Sequence, residues 1–194
     1  MINEAGYGRW SAPRIAMAAA VLTAALSACG SDPYAYNWSD VPDTVRIYSM
    51  DRSELNLPDA FSFYDGFLYA VEQPTSTGRW DVAVDTEGAG LVLLPPGVFG
   101  IGSRARIAPL PGIAYGDLTQ APGEGEVWIE NEAVPVTMGT TYAIRTGSRI
   151  GSYGSSCSYY AKMEPVEIDV AGGRLVFRYT TNPVCNSRDL VPPN

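Results

Sequence analysis

The chain has 194 residues, a formal charge of −8, 13 Lys and Arg against 21 Asp and Glu, and no histidine. So acidic a balance argues against nucleic acid as a partner and against electrostatic docking on anionic lipid. Without histidine, Ser-His-Asp and Cys-His nucleophile systems, two-histidine zinc sites and bis-histidine haem ligation are all excluded. Lys162 is the single lysine and no glycine-rich loop ends in Gly-Lys-Ser/Thr, so the chain is not expected to be an enzyme.

The first element is an export signal. Arg9 and Arg14 provide a positive region, and Ile15 to Leu26 is an almost unbroken apolar run rich in alanine. A membrane-spanning helix needs about 20 apolar residues, and this run stops short of that. It ends in Leu26-Ser27-Ala28-Cys29, where small residues before a cysteine suit the peptidase that cuts lipoprotein precursors and the thiol can carry a diacylglycerol. Residues 1–28 are therefore expected to be a signal peptide, 29–43 a lipid-anchored tether and 44–194 a single β domain. Cleavage leaves 166 residues, a length that suits one domain with a real core. The removed segment carries Glu4, Arg9 and Arg14, a net +1, so the remainder holds −9 of the total of −8. Attachment must then come from the lipid itself, for which a multiply acylated cysteine suffices where one chain is marginal. Gly30 rather than aspartate follows Cys29, which favours the outer membrane over the inner one for this exported protein.

The tether, Gly30 to Asp43, is polar and turn-rich, although Tyr34, Tyr36 and Trp38 alternate in a way that would let its end pack on the domain. Beyond it no segment repeats at i, i+3, i+4, i+7, and short apolar or alternating stretches are separated by turn residues, so the domain reads as all-β with mostly antiparallel hairpins. Expected strands are Val45–Met50, Ala60–Tyr64 turning at Asp65-Gly66 into Phe67–Glu72, Arg79–Asp85 and Gly90–Leu94. Further strands are expected over Glu126–Glu130, Thr140–Thr146, Ser158–Val170 and Arg174–Thr181. Asp65-Gly66 and Gly172-Gly173 are two-residue hairpin signals, because turns that match strand twist need positive φ.

The last hairpin places a disulfide. Its apolar positions are Tyr159, Ala161 and Met163 and then Val166, Ile168 and Val170, a change of parity that calls for a bulge or break at Glu164-Pro165. If Ala171 pairs with Arg174, partner numbers add to 345, whereas Cys157 and Cys185 add to 342, which puts the two cysteines close together at the open end. With Cys29 assigned to lipid, an even remainder in an exported chain reads as one bridge, the alternative being two unrelated buried thiols.

Acidic clusters are read as surface. Asp81, Asp85 and Glu87 share one stretch, and a carboxylate pair alone can hydrolyse a glycoside. Asp85 to Gly88 also faintly resembles part of a calcium loop. Acids flanking a turn are more often merely solvated, and Glu124, Glu126, Glu130 and Glu132 read the same way. Arg104 and Arg106 alternate like the solvent face of a strand or loop.

Four stretches carry a resemblance. Thr77-Gly-Arg-Trp-Asp-Val-Ala-Val84, then Thr141-Tyr-Ala-Ile-Arg-Thr146, then Tyr160-Ala-Lys162, then Gly173-Arg-Leu-Val-Phe-Arg-Tyr179 are similar, in order, to strands of the HmuY family of haem-binding surface lipoproteins. The resemblance implies an antiparallel β domain and haem, or another flat apolar ligand. That family grips haem between two axial side chains, commonly histidines; here the resemblance directs the ligand role to methionine, Met163 first and Met138 second. Methionine on a strand face is otherwise core filler. Read from the residues alone, Trp80 is a core aromatic with Asp81 outside it, and Tyr142, Ile144, Phe177 and Tyr179 are core or cross-strand pairs. The expected function is thus a lipid-anchored envelope protein whose domain binds a small apolar ligand. The alternative is a structural lipoprotein, or one binding an envelope protein partner, distinguished by a filled core and an exposed apolar patch.

Overall fold

A computed structural model describes residues 38–193 apart from 55, 126, 152 and 153. The signal peptide, Cys29 and most of the expected tether lie outside the described residues. The strands are β1 (Asp43–Tyr48), β2 (Ala60–Phe61), β3 (Leu68–Tyr69), β4 (Val82–Glu87), β5 (Gly90–Leu94) and β6 (Arg106–Leu110). They continue with β7 (Val134–Pro135), β8 (Thr141–Arg145), β9 (Arg149–Ile150), β10 (Ser156–Cys157), β11 (Tyr160–Asp169) and β12 (Arg174–Thr181). One five-stranded sheet has the order β1-β12-β11-β8-β6, a second β3-β2-β4-β5-β7, and β9 pairs with β10 alone. All of these pairings are antiparallel, so the all-β, antiparallel expectation holds.

The two large sheets face each other across one apolar core. Ile47, Phe177 and Met163 from the first sheet meet Phe61, Val84 and Leu93 from the second, all buried. Each sheet is also covered on its outer face, by a cluster around Tyr160, Leu118 and Leu190 on one side and around Trp80, Val92 and Leu94 on the other. That double covering explains the continuous apolar run of β5: Leu91 and Leu93 enter the central core, while Val92 and Leu94 enter the outer layer.

The C-terminal hairpin departs from expectation in detail. Asp169 pairs with Arg174, so its turn spans Val170–Gly173 and is two residues wider than expected. The bulge falls between Pro165 and Glu167, making Val166 the extra residue and turning it to solvent. Pro165 lies beyond the last β8 partner, Met163↔Tyr142, where no ladder donor is required of it on that side. Below the bulge the partners are Ala161↔Thr181 and Met163↔Tyr179, a register that adds to 342, the same as the cysteines. Cys157 and Cys185 are disulfide-bonded, with Cα atoms 5.3 Å apart.

Elsewhere β6 is a strand that the alternation of Arg104 and Arg106 left open, and β7, β9 and β10 were not expected. β6 forms a sheet edge, where Pro109 is tolerated. Of the strand expected over Glu126–Glu130, the described residues 127–130 form a loop touching β6 through one bridge, Ile107↔Ile129. The hairpin at Asp65-Gly66 is wider than two residues, because Phe61 pairs with Leu68 and Ala60 with Tyr69.

Candidate functional site

At the end of the sandwich where β12 finishes and β1 begins, an open cleft of about 290 Å³ is lined by residues including Trp38, Val41, Tyr64, Gly66, Tyr179 and Pro183. Trp38 and Val41 both line this cleft, so the end of the expected tether lies beside the domain.

One wall is the 62–67 turn. Gly66 N–H donates to Ser62 O at 2.9 Å and Ser62 N–H donates to Phe67 O at 3.0 Å, closing the turn. Gly66 has φ 70°, and a Cβ there would sit 3.4 Å from the Tyr179 hydroxyl, so both backbone and space favour glycine. Beneath the turn lies Asp81, and here the solvated reading is overturned: the residue is fully buried. Its carboxylate accepts from Phe63 N–H and from Gly147 N–H, each at 2.8 Å, tying the turn to the β8–β9 connection of the facing sheet. Burial pushes the Asp81 pKa up to about 6, against the opposing pull of those N–H groups and of Arg149. Alternation from Val82 does turn Asp81 away from the central core, but loops folded over that position replace the water it was expected to meet.

Over the turn lies an aromatic and cationic layer. Tyr64 packs on Tyr159 with ring centroids 4.8 Å apart, and the Arg149 guanidinium lies 5.5 Å from the Tyr64 ring. Arg149 is itself held by donating to Arg79 O at 2.9 Å. Asn186, at φ 57°, accepts from Ser158 N–H at 2.9 Å and donates to Ser156 O at 3.0 Å, fixing the chain beside the disulfide. No sequence signal marked Asp81, Arg149 and Tyr159 as neighbours, because they come from different hairpins.

The structure separates the two methionine candidates. Met163 is fully buried in the central core and Met138 is 54% exposed in the turn before β8; neither lines the cleft between β1 and β12. Lys162 is buried, donates to Leu118 O at 2.9 Å and stands 4.8 Å over the Tyr115 ring, with Arg178 also 4.6 Å from that ring. Burial lowers its pKa, and its ammonium is committed to these structural contacts. Asp85 accepts from Ser49 Oγ, Asp51 N–H and Thr86 N–H. Glu87 pairs with Gly90 across a two-residue turn, so the stretch that resembled a calcium loop is a strand end and a hairpin. Glu124 and Glu130 form ion pairs with Arg106, Glu132 is exposed, and Glu126 lies outside the described residues. Among the described residues no group of three or more acidic, cysteine or histidine side chains could hold a metal ion.

The fold and cleft define the class: a two-sheet antiparallel β protein with an aromatic cleft open at one end. No protein-family model, curated protein or solved structure matches the chain.

Proposed function

We propose that the chain is an exported lipoprotein, acylated on Cys29 and held at the outer membrane. Its β domain binds a macromolecular or surface partner and carries out no catalysis. One contrast supports this reading above the others: the space between the sheets is filled by fully buried side chains, whereas large apolar side chains stand exposed around the cleft. A small-ligand module of the HmuY kind would need a concave apolar pocket with an axial side chain aimed into it. Met163 is enclosed by core residues, and the cleft of about 290 Å³ lies at the lower bound of ligand pockets. On this reading the HmuY-like stretches carry strand structure, with no haem ligand among them.

Two measurements test the proposal. Mass spectrometry of the membrane fraction should find a diacylglyceryl-modified peptide beginning at Cys29; an unmodified Cys29 would remove the lipoprotein assignment. Titration of the soluble domain with haemin, oxidised and then reduced, should leave the Soret band unshifted. A saturable shift lost in Met163→Ala would instead establish the small-ligand reading.

A further inference from the structure

Large apolar side chains stand exposed beside this cleft. Val41 is 72% exposed and Phe67 61%, and Tyr64 is nearly half exposed. Val41 and Tyr64 line the cleft, and Phe67 follows Gly66 in its wall. Leaving such a group in water is unfavourable, and contiguous patches of this kind mark interaction sites.

The chain itself indicates what covers the patch. Trp38, in the cleft lining, is nine residues from Cys29, so the tether reaches roughly 30 Å at most, whatever its conformation. The end of the sandwich that bears the patch is therefore the end held nearest the lipid. We propose that this end, through Trp38, Val41, Tyr64 and Phe67, rests on the bilayer surface into which the Cys29 acyl chains insert. The inference depends on the acylation proposed above.

Aromatic side chains suit that position because an apolar body and a polar edge match the bilayer interface. The charges nearby nearly offset one another: Asp40, Asp43 and Asp65 on one side, Arg79 and Arg149 on the other. Docking thus draws on apolar burial rather than on lipid charge and should be insensitive to salt. Little intrinsic affinity is needed, because a short tether presents the surface at an effective concentration of order millimolar.

The mature chain allows a direct test. With Cys157 and Cys185 bridged, Cys29 is its one free thiol, so a maleimide-headed phospholipid can be coupled there and inserted into phosphatidylcholine vesicles. Hydrogen exchange is then compared between vesicle-tethered protein and the same chain left uncoupled in solution. Amides of residues 64–68 should exchange at least about tenfold more slowly when tethered, at low and high salt alike. Val41→Ser with Phe67→Ser should restore the solution rate while the protein still floats with the vesicles. Equal rates in tethered and free wild-type protein would overturn the docking. So would protection that grows with the density of tethered protein, the mark of a second copy on the patch. Because the lipid is attached chemically, this outcome is independent of whether the cell acylates Cys29.

Discussion

β1 and β12 run antiparallel from Asp43↔Tyr179 at one end to Tyr48↔Arg174 at the other, and the two ends are finished with opposite chemistry. At the first, aromatic rings, the disulfide and one buried carboxylate hold turns from several hairpins around a cleft whose walls mix aromatic and polar side chains. At the second, a cleft of about 370 Å³ is lined by residues including Ser49, Asp51, Arg52, Glu54 and Thr86, and its groups satisfy one another at the surface. There Ser49 N–H donates to Gly173 O at 2.7 Å, and Arg52 donates to Gly172 O and pairs with Glu54 at 3.2 Å. One strand pair thus carries an end lined mainly by charged and hydroxyl groups and an end where aromatic rings share the lining with polar groups. The difference also locates stability: covalent and buried links serve the aromatic end, solvent-screened ones the polar end.

That contrast would break first at the disulfide. Cys157 and Cys185 close a loop of 28 residues, for which the chain-entropy treatment gives about 3.5 kcal/mol. Replacing both by serine should lower the unfolding free energy from urea denaturation by about that amount, and hydrogen exchange should rise chiefly around the aromatic cleft. An unchanged midpoint would show that this end is held by its noncovalent contacts alone.

Asp81 gives the next largest effect, through pH. Its folded pKa of about 6 lies above the ordinary 3.8, so the folded state holds its proton more tightly than the unfolded chain does. The stability this group contributes is fully present below about pH 3.8 and is lost as pH rises through about 6, a change of about 3 kcal/mol. Urea unfolding of the wild type and of Asp81→Asn from pH 3.5 to 7.5 isolates this, since the other titrating groups are common to both. The difference between the two curves should slope across that window; parallel curves would mean that burial does not set the Asp81 proton affinity.

The smallest effect belongs to the polar end. Arg52, 5.3 Å over the Tyr48 ring and paired with Glu54, is partly exposed, and Arg52→Ala should cost less than about 1 kcal/mol by urea denaturation. A loss as large as that of the disulfide would erase the distinction between the ends.

Much of the strand pattern was legible because it rests on local alternation and turn chemistry. β5 and β12 fall at Gly90–Leu94 and Arg174–Thr181, the bounds read from composition and parity alone. The change of parity in β11 called for a bulge; the structure shifts it slightly, because Val166 rather than Glu164-Pro165 is the residue that yields to solvent. β6 was left open between strand and loop, and β7, β9 and β10 escaped notice, because edge and two-residue strands take their hydrogen bonds from distant partners and leave little periodicity of their own.

The candidate site was far less legible. Met163 stood out by its place near the bulge and proved to be core filler, since a strand residue's face is set by the sheet opposite, which no local pattern reports. Asp81 was read as solvated for the same reason: only the approach of Phe63 and Gly147 from separate hairpins removes its water and supplies its partners. By itself, then, the sequence determined an all-β chain, the Cys157–Cys185 pairing and the exclusion of histidine chemistry, because these follow from residue type, parity and count. Tertiary structure alone decided which side chains are buried, which carboxylate is desolvated and which rings line the cleft, because each depends on contacts between strands far apart in the chain.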